Sequence, residues 1–464
     1  MSVVPGGIDT DEGPPMTIPL RHFLVGVGLL LAGALVGLRS AVGGPVVGAR
    51  LVHVHLLLAG WVCVTIMGAM TQFVPVWSNV PLYSRRLATA QLWLVTAGLA
   101  GFAAAFLGGR PALLAFPGAL LLAGFWTFVY NIGRTLARAR PLDVTERHFA
   151  LALLYFLAVT ALGLSLAVGY ARPVYTTLPV SRTGVVTAHA TLAVFGAVLT
   201  TVFGALYQLA TMFTQTDLHG IDHPLRGFEE VGYPLGVVAL AAGRLFDASL
   251  LATAGGLLVA AVTVAVSVIL LRRLYETRVE RTPMLTRYGA AALFMPVWAA
   301  TAARSWLRDP TSRTTLLGDP ATGHLLVFGV VGFVVLGTLY HVVPFIVWVH
   351  RYSDRLGLED VPMIDDLYSG RLAAVDFAAT LAGALGLFVA AAFSLSTLVT
   401  AAAGAVATLG FACFGANALA VVRDHSPYSL AGVLFTGVAS DRNEATDEGD
   451  GTQPDPAETL DRGA

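Results

Sequence analysis

HVHLLLAGWVCVTIMGAMTQFVP, running from His53 to Pro75, decides the fold because the chain carries it twice more. The second copy is HATLAVFGAVLTTVFGALYQLAT from His189 to Thr211, and the third is TGHLLVFGVVGFVVLGTLYHVVP from Thr322 to Pro344. The three align without a gap. Gly60, Gly196 and Gly329 coincide, as do Gly68, Gly204 and Gly337, then Gln72, Gln208 and His341. Composition alone gives unrelated apolar helices a share of Gly, Ala, Leu and Val, but not three ungapped registers, two opening on histidine and the third with His324 two residues in, so a repeat architecture follows.

Each copy is long and apolar enough to cross a bilayer, for which about 20 residues suffice. The whole chain agrees, with 56% hydrophobic and 12% charged residues and a mean hydropathy of +0.73, which excludes a soluble globule. All 28 basic residues are arginine, the net charge is -1, and nothing points to nucleic acid. Cys63 and Cys413 stand alone in apolar runs, which excludes a cysteine metal cluster and a disulfide framework. Residues 1–18 are acidic without a basic n-region, so they read as a cytoplasmic tail, not a cleaved signal peptide. Residues 440–464 have the acidic, Pro/Gly-punctuated composition of a disordered tail.

Between the tails, residues 19–423 read as an all-α membrane domain of about twelve transmembrane helices, with the seventh (229–246) and ninth (287–306) the least apolar. Loops after the even-numbered spans, with the N-terminal flank, carry 17 arginines against 9 on the other side. The positive-inside rule then puts both termini in the cytoplasm of a multi-pass protein of the cell membrane, and the repeat histidines near the outer face. The repeat starts are 136 (189 − 53) and 133 (322 − 189) residues apart. Each unit therefore holds four spans with the motif on its second. A weaker echo, Arg21-His22-Phe23, Arg147-His148-Phe149 and Arg287-Tyr288, opens the first helix of each unit. Three four-helix arcs about a pseudo-threefold axis are the predicted architecture.

A histidine in a transmembrane helix costs free energy unless partnered, so His53, His55, His189 and His324 are candidate site residues. Any one of them, near the outer end of its span, could simply hydrogen-bond water at the interface. Together, at repeat-equivalent positions facing the middle of a bundle, they suit the neutral imidazole ligation of haem iron. The glycines could make room for the macrocycle or merely let helices approach.

Twelve spans in three arcs, with histidine on spans two and ten, resemble subunit I of the haem-copper oxidases, the family of cytochrome c oxidases and nitric oxide reductases. The resemblance covers about residues 19 to 423 and is most specific in GHLLVFGVVGFVVLGTLYHVVP. It implies that His53 and His324 are the axial ligands of a low-spin haem, of the b type, in respiratory electron transfer. It also implies a separate donor, such as a small blue-copper protein or cytochrome, and association with membrane lipid and other respiratory subunits. The chain departs from the family at the oxygen-reducing centre. Thr322 stands where the family has the histidine of the high-spin haem, span seven has no histidine, and His219 and His223 fall in the preceding loop. The paired arginines between spans eleven and twelve are missing too. No copper site is expected, and no catalytic residue is named for this oxidoreductase-like chain.

Rotating the His53–His324 pair by one arc gives His55 with His189, a candidate second haem site, and rotating it again gives Thr191 with Thr322. Other residues invite plainer accounts. His22 and His148 read as interfacial, His341 as a hydrogen-bonding core residue, and Tyr207 and Tyr340 as packing at one register. Asp376 reads as an isolated acid with a water or backbone partner, or as part of a proton path. Two further functions compete: a nitric oxide reductase-like or nitric-oxide-responsive haem protein, which needs an open coordination site, and a repeat-built transporter, which uninterrupted spans with few midplane charges argue against.

Overall fold

A computed structural model describes residues 14–43 and 46–435. The acidic segment 440–464 and most of the 1–18 tail lie outside the described residues. All the long elements are helices: α1 (Thr17–Val42), α2 (Ala49–Ser78), α3 (Arg85–Leu107), α4 (Pro111–Leu136), α5 (Val144–Val168), α6 (Arg182–Thr214), α7 (Asp222–Leu245), α8 (Ser249–Glu276), α9 (Pro283–Arg308), α10 (Leu325–Arg351), α11 (Gly370–Ala392) and α12 (Thr397–His425). Among the described residues, ten of these are long and apolar enough to cross a membrane, so the chain is an all-α, polytopic membrane protein. The exceptions are α7 and α9, the two that also read weakest in sequence. Their length is sufficient, at 24 and 26 residues. Charged side chains lower their hydropathy, among them Glu229, Arg244 and Arg287, all three buried.

Polar caps set where several helices begin. Ser84, Ser181, Thr282 and Ser369 each accept a backbone N–H from the first turn of α3, α6, α9 and α11. Asp143 and Glu146 form a reciprocal capping box on α5. The repeat helices α2 and α6 stop on left-handed residues, Asn79 (φ 49°) and Gln215 (φ 51°), where the helix can no longer propagate.

The three repeat helices occupy the interior. In α2, α6 and α10, 61%, 78% and 83% of the apolar window is buried, against 28–44% for α1, α3, α4, α5, α11 and α12, while α8 matches α2 at 61%. Around them, each repeat packs alike: first helix on second, third against fourth, and fourth against the next repeat's first, with α12 closing onto α1. Both glycine rows serve this packing. A Cβ on Gly60, Gly196 or Gly329 would meet Leu29, Tyr155 or Phe294 of the same repeat's first helix, and one on Gly68, Gly204 or Gly337 would meet His22, His148 or Arg287. Close helix approach therefore accounts for these glycines.

One feature is absent from the sequence reading. Each repeat helix contains a π-helical stretch, Leu56–Val62, Leu192–Leu199 and Leu325–Gly332, each starting three residues after the aligned His53, His189 and Thr322. The spans are thus not uniform α-helices, although they stay continuous. π turns cost hydrogen-bond geometry and concentrate at functional sites. Here they sit directly below the histidines.

Candidate functional site

The aligned positions His53, His189 and Thr322 make the same kind of contact in each repeat. His53 Nδ1 lies 2.8 Å from the Gly33 carbonyl on α1, and His189 Nδ1 lies 3.0 Å from the Val159 carbonyl on α5. Thr322 Oγ1 lies 2.8 Å from Thr301 Oγ1 on α9. Gly33 and Val159 each fall eleven residues after the histidine of the first-helix echo, His22 and His148. Four residues further on, Gly37 and Gly163 let the imidazoles lie against the helix. A Cβ at Gly37 would come within 2.5 Å of His53 Nδ1, and one at Gly163 within 3.1 Å of His189 Cε1. These two glycines escaped the sequence reading, although their equal spacing from the echo was there to be read.

A carbonyl oxygen can only accept, so Nδ1 of both imidazoles carries the hydrogen and Nε2 is left with its lone pair. His55 is held likewise, Nδ1 at 2.8 Å from the Leu51 carbonyl. Fixing the tautomer by a backbone bond to the far nitrogen is how proteins orient histidine ligands.

The arc rotation pairs His55 with His189 and His53 with His324. The rings of His55 and His189, on α2 and α6, lie with centroids 6.4 Å apart and planes 17° from parallel. Phe102 of α3 packs on His55 at 4.4 Å. All three of His53, His55 and His189 are half-buried. His324 stands one residue ahead of α10, beside His53 and Arg50. Its surface is accessible.

The third rotation-related position is sealed. Arg244 of α7, only 1% exposed, donates from Nη1 to Thr191 Oγ1 at 2.6 Å and to the Leu316 carbonyl at 3.0 Å. Its Nε and Nη2 reach the carbonyls of Pro310 and Thr315. The guanidinium also lies over the Trp306 ring, 5.6 Å from its centroid. Where the other two positions present imidazoles, this one presents Thr191, bound by an arginine with no lone pair to offer, and Thr322, bound to Thr301.

Away from the histidine pairs, several expectations change. His22 and His148 are buried instead of interfacial; His22 bonds the Ile18 carbonyl, and His148 bonds both the Val144 carbonyl and Glu229. Asp376 is not isolated, for it pairs with the buried Arg287 and accepts from Tyr340. Tyr207 and Tyr340 do share a register, but each hydrogen-bonds a buried carboxylate, Glu229 and Asp376. His341 packs its ring on Phe213 and Phe345. His223 lies in the first turn of α7 and His219 just before it, where it bonds Glu276. Among the described residues, no three His, Cys, Asp or Glu side chains converge as a metal site. Comparison with models of known protein families and with curated proteins finds no match to this chain.

Proposed function

We propose that this chain is a haem-binding membrane protein of respiratory electron transfer, built like subunit I of the haem-copper oxidases, with His53–His324 and His55–His189 as two bis-imidazole sites. The observation that carries it is the geometry of His55 and His189. Two metal–nitrogen bonds of roughly 2.0 Å, with about 1.1 Å from each nitrogen to its ring centre, would separate the ring centroids of a bis-imidazole iron by about 6.2 Å. The rings stand 6.4 Å apart, each with Nδ1 bound to a backbone carbonyl and Nε2 available. Histidines that merely hydrogen-bonded each other would stand closer, and ones serving the interface would not need glycines recessed to receive them. Two cysteines with no CxxCH motif leave no thioether attachment, which favours non-covalent haem of the b type.

A bound haem would supply one-electron transfer. The chain's own residues fix the imidazole tautomers, hold both rings in register and, at Arg50, place a positive charge where the carboxylates of a macrocycle could pair. In this reading α7 and α9 cross the membrane with the other ten helices, packed along α8, giving twelve spans in three arcs. Both termini are cytoplasmic by the arginine bias, so the histidine pairs lie near the outer face, within reach of a soluble donor such as a small blue-copper protein or cytochrome. The sealing of the Thr191–Thr322 position by Arg244 supports electron transfer without an oxygen-reducing centre.

The optical spectrum of the purified protein tests this. Sharp reduced-state bands unmoved by carbon monoxide are expected. A carbon monoxide shift would instead indicate an open site and a nitric-oxide or oxygen chemistry, and a protein without haem absorption would leave a transport role.

A further inference from the structure

At the end of the bundle opposite the histidine pairs, each repeat brings a polar side chain of its third helix against its first. In the third repeat these are Asp376 and Arg287, joined by Tyr340. In the second they are Glu229 and His148, joined by Tyr207. In the first they are Gln91 and His22, 3.5 Å apart, with no acid. The fold therefore does not need a charge at this position, since one repeat manages with neutral groups.

The two acidic clusters differ in what protons they can exchange. Arg287 stays protonated at any accessible pH, and Tyr340 Oη, while donating to Asp376, also receives Asn417 Nδ2 at 3.2 Å. That hydroxyl is held in one direction. In the second repeat, His148 Nδ1 faces the Val144 carbonyl at 2.7 Å and must carry a hydrogen. Its Nε2 stands 2.8 Å from Glu229 Oε1, and two lone pairs cannot face each other at that distance, so one proton always lies between them. Glu229 Oε2 is 3.1 Å from Tyr207 Oη, which has no second donor to hold it. A proton arriving on Oε2 can be accommodated by turning the Tyr207 hydroxyl from donor to acceptor, with no heavy atom displaced.

We propose that His148, Glu229 and Tyr207 form a proton-binding site inside the bundle, holding one proton between Nε2 and Oε1 and reversibly taking a second on Glu229 Oε2. Glu229 is fully buried, yet the next turn is open. Glu230, the next residue, pairs with the half-exposed Arg147 at 2.8 Å and with Arg226 at 3.1 Å, which places solvent-accessible charge beside the site. The other charged and titratable groups acting on the site are Tyr233, Arg226 and Glu230 on α7 and Arg273 on α8. None of these can take over the hydrogen bonds of Glu229.

Infrared difference spectroscopy of the full-length purified protein, recorded between neutral and acid pH, tests the site without reference to haem. The expected result is a protonated-carboxyl band of one group per chain that rises as the pH falls, vanishes in Glu229→Gln, and vanishes in His148→Arg, where a guanidinium keeps the carboxylate ionised. The band should persist in Tyr340→Phe, which alters only the third-repeat cluster. Should Glu229→Gln fail to fold, the loss of the band in His148→Arg carries the same reading. A wild-type difference spectrum that neither Glu229→Gln nor His148→Arg alters overturns the proposal.

Discussion

Replacing Arg244 by methionine removes the seal of the third position while keeping most of its volume. The guanidinium makes four hydrogen bonds, to Thr191 Oγ1 and to the carbonyls of Pro310, Thr315 and Leu316. Bonds to a charged donor are worth about 1.5–3 kcal/mol each, so their gross loss is roughly 6–12 kcal/mol. Against this, the variant no longer desolvates a charge, which returns several kcal/mol. The carbonyls of the 309–321 loop can also rehydrate from the end of the bundle. The expected net loss is therefore about 2–4 kcal/mol, while the exposed Arg313→Met should change stability by less than about 0.5 kcal/mol. Equilibrium unfolding in mixed micelles, followed by far-ultraviolet circular dichroism, measures both. A loss below about 1 kcal/mol in Arg244→Met would show that the arginine is not what holds this position closed.

Three further outcomes follow from the same geometry. Gly37→Val and Gly163→Val should each reduce haem binding at the pair whose imidazole the glycine receives, as measured by haem absorbance per protein, because the new side chain would occupy the ring's place. Asp376→Ala leaves Arg287 buried without its counter-charge and should destabilise the fold by about 3–5 kcal/mol in the same unfolding assay. Elemental analysis of the purified chain should find iron without stoichiometric copper, since α7 carries no histidine beyond His223 in its first turn.

The central helices were legible because their evidence is one of exact register. His53, His189 and Thr322 align without a gap, and the structure gives all three a bond to the first helix of their own repeat. The carboxylate clusters were not. Glu229 follows Gly204 by 25 residues but Asp376 follows Gly337 by 39, and this difference in loop length hid their equivalence. Asp376 looked isolated because Arg287, its partner, reads in sequence as the end of a loop. The π-helical stretches leave no mark in LLLAGWV, LAVFGAVL or LLVFGVVG, since an apolar run in lipid satisfies either helix equally well. In sequence Arg244 falls among the nine arginines of the outer side, since sequence distance cannot show that the 309–321 loop folds back over it.

The most direct measurement for the account as a whole is the haem-to-protein ratio of the purified chain, in the wild type and in His189→Ala. The predicted result is two haems per chain in the wild type, falling to one in the variant while the spectrum of the haem at His53 and His324 persists. One haem per chain in both proteins would contradict the second site, and no haem in either would contradict the proposed function.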